Sequence, residues 1–281
     1  MAPDRDVQGV AGVEPNVHLE RSAVPLHVFI LALSTSGSAQ IKDNSFLLEE
    51  AYNQEQGVVQ HINSFVRSGE GDWSYLFTQE WPLGSLQHQL SYSLLLQHSR
   101  GEGTGFGDAV LNYRYQLIGT AQARTAMAPR VSLTVPLGNE RRGRGSGGLG
   151  FQVNLPLSLV LCPRVTTHWN AGATLVPSAG NESGRATTLS PNLGASVVWS
   201  FSPKFDALVE AVWINQESVV GEGRTSREGI ALLSPGIRVA WEVANGVELV
   251  PGAAYTLDLS GPPGNDAIFL YLSLEHPFHH Q

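Results

Sequence analysis

The strongest constraint on the fold is an alternation of apolar and other residues, seen near the end of the chain and at many places before it. In residues 268–275, aliphatic side chains occupy every second position: Ile268, Leu270, Leu272 and Leu274. The residues between them are aromatic or polar: Phe269, Tyr271, Ser273 and Glu275. A period of two residues is that of a β-strand, whose successive side chains point to opposite faces. The pattern predicts a sheet whose two faces meet different surroundings.

Similar stretches fill most of the chain after residue 57. We identify about twelve, at residues 58–66, 73–82, 87–97, 105–118, 126–137, 148–161, 165–176, 188–202, 204–215, 229–243, 246–258 and 267–278. Each is near the length of about ten residues that a tilted strand needs to cross a membrane. An even number of strands brings both ends of a barrel to the same side of the membrane, as bacterial barrels require.

The connections between these stretches alternate in length. Four are short, at 82–86, 162–164, 202–204 and 244–246, and a fifth, at 119–125, is of middling length. The intervening connections are longer, glycine-rich and charged: 99–105, 138–148, 177–187, 215–228 and 260–267. Short periplasmic turns and longer extracellular loops are typical of outer-membrane barrels. The sequence therefore predicts an all-β fold, a single transmembrane antiparallel up-and-down β-barrel over residues 58–278. A secreted soluble β-sandwich is the alternative.

Composition agrees with a membrane barrel and excludes several functions. Charged residues make up 15% of the chain, whereas a soluble domain has about 25%. No stretch approaches the roughly 20 apolar residues of a membrane helix. The formal net charge of −8, without a basic block, gives no reason to expect nucleic acid as a partner. Cys162 is the single cysteine, which excludes an intramolecular disulfide and a cysteine-rich zinc site.

The first 57 residues have a different character. Residues 1–39 contain Arg21, an apolar run from 23 to 33 and small residues before Gln40. This arrangement predicts an N-terminal extension and a secretory signal peptide, because the apolar run is too short to span a bilayer; a buried strand or helix is the alternative. Residues 40–57 are predicted to be a periplasmic segment with a short helix, in or under the mouth of the barrel, through Phe46, Leu47, Leu48, Ala51 and Tyr52.

The barrel strands carry polar residues on the face opposite the apolar one, and a barrel of this size should have a narrow polar lumen. We predict that these residues line it and are candidates for setting selectivity: Arg114, Arg130, Gln152, Asn154, His168, Asn170, Arg238, Glu210, Glu242 and Glu248. In one interpretation the three arginines face the three glutamates and form a charged constriction. In the other, these charges pair across the lumen and only make it rigid.

Catalytic and metal-binding motifs are not evident. His168 and Asn170 near Ser190 or Ser196 would supply the residue types of a barrel hydrolase, but spacing cannot establish such a geometry. The chain has no G-x-S-x-G or H-E-x-x-H motif. We therefore predict that it is not an enzyme and has neither a cofactor nor a metal site. A lipid-modifying hydrolase and a purely structural barrel are the alternatives to a channel.

Two segments resemble a known family. GTGFGDAVLNYRYQLIG (103–119) has a G-x-G-D strand start, and residues 128–172 have a P-x-G turn, a glycine-rich loop and an amphipathic strand ending near PR. These features resemble the outer-membrane family named after the meta-cleavage pathway of phenol degradation. The resemblance implies a channel for small, often hydrophobic or aromatic compounds.

The expected partners of the protein are outer-membrane lipid, a small-molecule solute and, during biogenesis, the barrel-assembly machinery. The last of these is expected because the final strand closes with the aromatic Phe278. The expected location is the bacterial outer membrane.

Overall fold

The computed structural model describes residue 41 and residues 43–120, 123–244, 246–262 and 265–278. The predicted signal peptide therefore lies outside the described residues. The described residues form fourteen strands, β1 (Val58–Ser68), β2 (Trp73–Leu83), β3 (Ser85–Ser99), β4 (Gly103–Tyr115), β5 (Thr125–Met127), β6 (Arg130–Val135), β7 (Gly150–Cys162), β8 (Val165–Asn181), β9 (Gly184–Ser202), β10 (Phe205–Gly221), β11 (Arg224–Val239), β12 (Trp241–Ala244), β13 (Val247–Asp258) and β14 (Ala267–Pro277). A 3-10 turn, Glu140–Arg142, lies between β6 and β7.

These fourteen strands occupy twelve positions around a closed antiparallel barrel. We call each position a stave, and two staves consist of two strands each. β5 and β6 both pair with β7 and form one stave. The break between them includes Pro129, which has no N–H to donate to the sheet. β11 and β12 form another stave, because both pair with β13. β1 pairs with β14 along eleven register positions and so joins the two ends of the chain. The predicted twelve-strand barrel is confirmed.

The loop-length prediction needs a correction at one end of the barrel. Residues 177–187 and 215–228 were expected to be long loops, but the strands continue through most of both segments. The chain reverses instead at tight turns, where Gly184 (φ 141°) and Gly223 (φ 65°) adopt a backbone conformation that favours glycine. The four strands β8 to β11 therefore extend the barrel wall at this end. Because the longer connections were predicted there, we call it the long-loop end.

The two faces of the wall differ as the alternation predicts. Leu111, Val131 and Val153 lie on three successive staves and are all more than half exposed on the outside. On the first of these staves, Asn112 and Arg114 alternate with the outward residues and are buried inside. A soluble monomer rarely exposes so continuous an apolar surface, and an outer-membrane barrel presents it to lipid. Among the described residues, no helix has the length and hydropathy needed to cross a membrane.

The segment before β1 lies inside the barrel. Residues 43–56, which we call the plug, run through the half of the lumen that is nearer the short turns. The predicted helix is wrong: the described plug residues form bends and irregular backbone. Ala51 is completely buried and Glu50 is only 3% exposed. The apolar residues that suggested a helix instead contact the barrel wall.

Candidate functional site: a plugged lumen

The plug has no helix because wall side chains take its backbone N–H groups. The carboxylate of Glu210 on β10 accepts hydrogen bonds of 3.1 Å from the backbone N–H groups of three successive plug residues: Phe46, Leu47 and Leu48. In a helix, the N–H of Leu48 would instead point along the chain to the carbonyl of residue 44. One buried carboxylate therefore replaces the local bonds of a helical turn.

Other polar wall residues continue this pattern along the plug. They accept hydrogen bonds of 2.6–3.1 Å from the plug backbone, with Asn170 bound to Glu49, Ser158 to Ala51, Gln116 to Asn53 and Gln89 to Gln54. A buried backbone N–H without a partner costs about 1–3 kcal/mol. The wall therefore supplies the partners that allow an irregular segment to be buried.

Two arginines of the wall bind the plug carbonyls. Arg114 donates to the carbonyl oxygens of Glu50 and Tyr52, at 3.2 and 3.0 Å. Arg238 donates to the carbonyl oxygens of Asp43 and Asn44, at 2.7 and 3.1 Å, and to that of Ile41 just before the plug. Both were predicted to line a narrow polar lumen. In the structure, their guanidinium groups instead donate hydrogen bonds to backbone carbonyls of the same chain.

Arg238 is also surrounded by three acidic side chains. Its guanidinium lies 3.1 Å from Asp206 and 3.2 Å from Glu50, and Asp43 is the third acid. One cation cannot neutralise three buried carboxylates. Burial raises the pKa of Glu50 to about 8 and that of Asp43 to about 6, against the opposing effect of Arg238. The seated plug therefore holds a proton in this cluster near neutral pH.

Glycines in the wall accommodate the apolar residues of the plug. A Cβ atom at Gly194 would lie 2.3 Å from the Leu48 side chain, and one at Gly252 would lie 2.5 Å from the Phe46 ring. The Phe46 ring also stacks on Phe269 of β14, with centroids 5.4 Å apart. These glycines leave space in the wall that the plug fills, which is the close fit expected of a seated element.

Above the plug, toward the long-loop end, the lumen contains a cavity of about 570 Å³. Its wall carries both uncharged polar and aliphatic side chains, and the polar ones include Gln152, Thr174, Ser190 and Asn192. The glycine-rich loop 138–148 contributes at the upper rim, and plug residues 47–49 form the floor. We call this cavity the vestibule. Below the plug lies a much smaller cavity of about 60 Å³.

One ion pair stands at the floor of the vestibule. Arg130 on β6 contacts the carboxylate of Glu49 at 2.8 Å, and both side chains are about one-fifth exposed. Both residues also line a third cavity, of about 170 Å³, beside the plug. This Arg130–Glu49 pair therefore lies at the boundary between two cavities of the lumen.

The predicted lining residues fall into three groups. Arg114, Arg238, Glu210, Asn170 and His168 are buried against the plug, whereas Arg130, Gln152 and Asn154 line the vestibule, as Asn170 also does. Glu242 and Glu248 pair in register at the short-turn end. Within the described chain, the arginines do not pair with Glu210, Glu242 and Glu248. Their carboxylate partners are Glu49, Glu50, Glu80 and Asp206.

The predicted histidine does form a hydrolase-like contact, but with a serine other than the two that the sequence suggested. Ser158 Oγ lies 2.7 Å from His168 Nδ1, and His168 Nε2 lies 3.5 Å from Glu50. Ser158 and His168 are both completely buried, and Ser158 also accepts the N–H of Ala51. Substrate would reach Ser158 only after the plug left, and Glu50 would leave with it. The contact therefore holds the plug, and its geometry does not favour hydrolysis.

Little in the sequence indicates the plug residues. The signal available was a cluster of three glutamates, Glu49, Glu50 and Glu55, just before the first strand. Acidic residues facing an arginine-bearing lumen were the useful clue. In the described part of the chain, no group of three or more His, Cys, Asp or Glu side chains is arranged to hold a metal ion.

Comparisons with known proteins agree with the barrel. The family model described as "Putative MetA-pathway of phenol degradation" matches residues 36–262. The chain is similar to a solved outer membrane channel from Pseudomonas putida F1, at 14% identity and TM-score 0.62, over 80% of this chain and 98% of that one. It is also similar to the NanC porin, at 8% identity and TM-score 0.52, over 77% and 98%. No curated protein matches. At these identities the two structures establish the fold alone.

Proposed function

The chain belongs to the family described as "Putative MetA-pathway of phenol degradation", and on that premise we propose that it is a passive channel for small molecules in the bacterial outer membrane. The plug closes it in the state described here. The observation that carries this proposal is the vestibule of about 570 Å³ that ends on plug residues. A barrel with a purely structural role needs no such chamber, because side chains can fill its interior.

Conduction in this proposal requires the plug to move. Its backbone is held by side chains of the wall, and these polar groups can bind water when the plug leaves. The barrel itself closes through main-chain pairing of β1 with β14 and β11 with β13, which does not involve the plug. The plug can therefore leave without opening the sheet. The solute enters at the long-loop end, taken as extracellular, and leaves at the periplasmic end.

The test is conductance in planar bilayers after deletion of residues 43–54. We expect a folded barrel, recognised by heat-modifiable mobility on a gel, whose steady conductance is well above that of the intact protein. A matched control replaces residues 43–54 with a glycine–serine segment of equal length, which keeps the chain but loses the contacts. It should also conduct. Folded variants that conduct no better than the intact protein would favour a structural barrel.

A further inference from the structure

The Arg130–Glu49 pair has the composition of a ligand site that the protein itself occupies. Three donor groups converge on the Glu49 carboxylate: Arg130 at 2.8 Å, Asn154 Nδ2 at 3.0 Å and, more distantly, Arg114 at 3.8 Å. Bonds from arginine to a carboxylate are among the stronger hydrogen bonds in proteins. Unlike the Glu210 carboxylate, which is completely buried, this one faces a cavity.

The guanidinium of Arg130 has an unsatisfied donor in the plugged state. Its two terminal nitrogens also donate to Asn112 at 3.1 Å and to Gln152 at 2.5 Å. Its Nε is buried and has no hydrogen-bond partner among the described residues. Glu49 is the carboxylate paired with Arg130 in the described structure, whereas Arg114 also has Glu80, at 3.6 Å. If Glu49 moved away, Arg130 would become an unpaired cation at the floor of the vestibule.

The vestibule that contains Arg130 also has aliphatic side chains, which can contact an apolar group. Val176, Val212 and Ile214 line the same cavity as Leu47 and Leu48 of the plug. The other acidic residues of the lining already have partners. Glu140 lies 3.9 Å from Arg185, and Glu217 lies 3.1 Å from Arg227.

We propose that the vestibule binds a small monocarboxylate with an apolar body, whose carboxylate takes the place of Glu49 on Arg130. Its apolar part would lie against the aliphatic wall. Because Glu49 belongs to the plug, this exchange also removes one of the bonds that hold the plug in place. The solute would then favour opening of its own path. The opening step rests on the proposed channel function, whereas the binding step does not.

Binding is tested by isothermal titration of the purified protein in detergent, with hexanoate as the probe and hexanamide as its uncharged match. The intact protein should bind hexanoate and bind hexanamide more weakly. Glu49→Gln removes the internal competitor and should tighten hexanoate binding by about tenfold. Arg130→Gln should weaken it by about tenfold or more, and Arg130→Lys should fall between them because lysine lacks the planar fork.

Two results would overturn the binding site: equal affinity for hexanoate and hexanamide, or unchanged hexanoate binding in a folded Arg130→Gln protein. Conductance tests the opening step separately. Hexanoate should raise the open fraction of the intact protein and leave Arg130→Gln unchanged. If the plug deletion conducts but hexanoate has no effect on the intact protein, release by the ligand is wrong. If the deletion does not conduct, the channel function fails while the titration still decides the binding site.

Discussion

The two halves of the lumen are made by the same strands, yet one is filled and the other is open. Near the short turns, the polar side chains of Glu210, Gln116 and Arg238 hold the backbone of the plug. Near the long-loop end, Thr174 and Ser190 line a cavity of about 570 Å³. Sequence alternation produces a polar inner face in both halves. The halves differ in whether those polar groups bind the plug or line a cavity.

This comparison shows that a polar lumen is not in itself a pore. A barrel interior must satisfy its buried polar groups, and an irregular peptide segment does so as well as water. The plug provides seven backbone N–H and carbonyl partners to Glu210, Arg114 and Arg238 alone, not counting that of Ile41. Charged residues that appeared to be selectivity candidates in the sequence thus act here as anchors.

The largest effect is expected from removing the central anchor. Arg238→Ala leaves three buried acids without their cation, and breaking a buried ion pair in this way costs about 3–5 kcal/mol. The plug should leave, because two of those acids belong to it. Single-channel recording should then show an open lower half of the lumen, and the heat-modification midpoint should fall. Arg238→Lys is the control and should lose less. A closed Arg238→Ala channel of normal thermal stability would contradict the anchor role.

A charged residue on the outer face of the barrel tests which face of the wall contacts lipid and which faces the lumen. Val131 is 53% exposed on the outside, and an arginine there costs about 2–4 kcal/mol near the middle of a bilayer. Val131→Arg should therefore impair assembly, whereas Arg130→Ala should give a folded barrel with altered ion preference. The fraction of heat-modifiable protein in the outer membrane measures the assembly of both variants. The reverse result would mean that the inner and outer faces are exchanged.

A smaller effect should separate the plug from the wall at one contact. Gly194→Val places side-chain atoms where Leu48 now lies, and overpacking of this kind costs about 1–3 kcal/mol. The barrel should fold while the plug is displaced, so that the open fraction rises. Ala195→Val is the matched control, because its side chain points outward from the next position of the same strand. If both variants behave alike, the close fit of Leu48 does not hold the plug.

Plug seating should also depend on pH. Burial raises the pKa of Glu50 from 4.5 to about 8 in the seated plug. An acid that holds its proton more tightly in the seated state stabilises seating fully below pH 4.5. That contribution is lost as the pH rises toward 8. The open fraction should therefore increase between pH 5 and pH 9.

The groups around Glu50 decide how sharp this dependence is. Arg238 faces it from β11 and His168 from β8, with Asp206 on β10 and Asp43 within the plug. Asp43, whose pKa is raised to about 6, titrates in the same range and can share the change. Glu50→Gln removes one of the two groups and should flatten the profile without abolishing it. An open fraction that falls between pH 5 and pH 9 would have the wrong sign.

Much of the wall was determined by the sequence. The alternation along residues 268–275 predicted which side chains of β14 face outward, and Leu270 is indeed exposed while Tyr271 is buried. Such a pattern is local, since every second residue of any strand points to the same face. Twelve repeats of it, separated by glycine-rich turns, leave a barrel as the way to pair every edge.

Tertiary structure alone decided what occupies the lumen. Glu210 binds plug residues more than 160 positions earlier in the chain, and Gly194 is required because Leu48 lies against it. Neither contact has a local sequence period. The short segment before β1 resembled a helix, because the spacing of its apolar residues fits one in isolation. It is held as an irregular plug because the barrel wall offers its backbone stronger partners than a short helix in water would have.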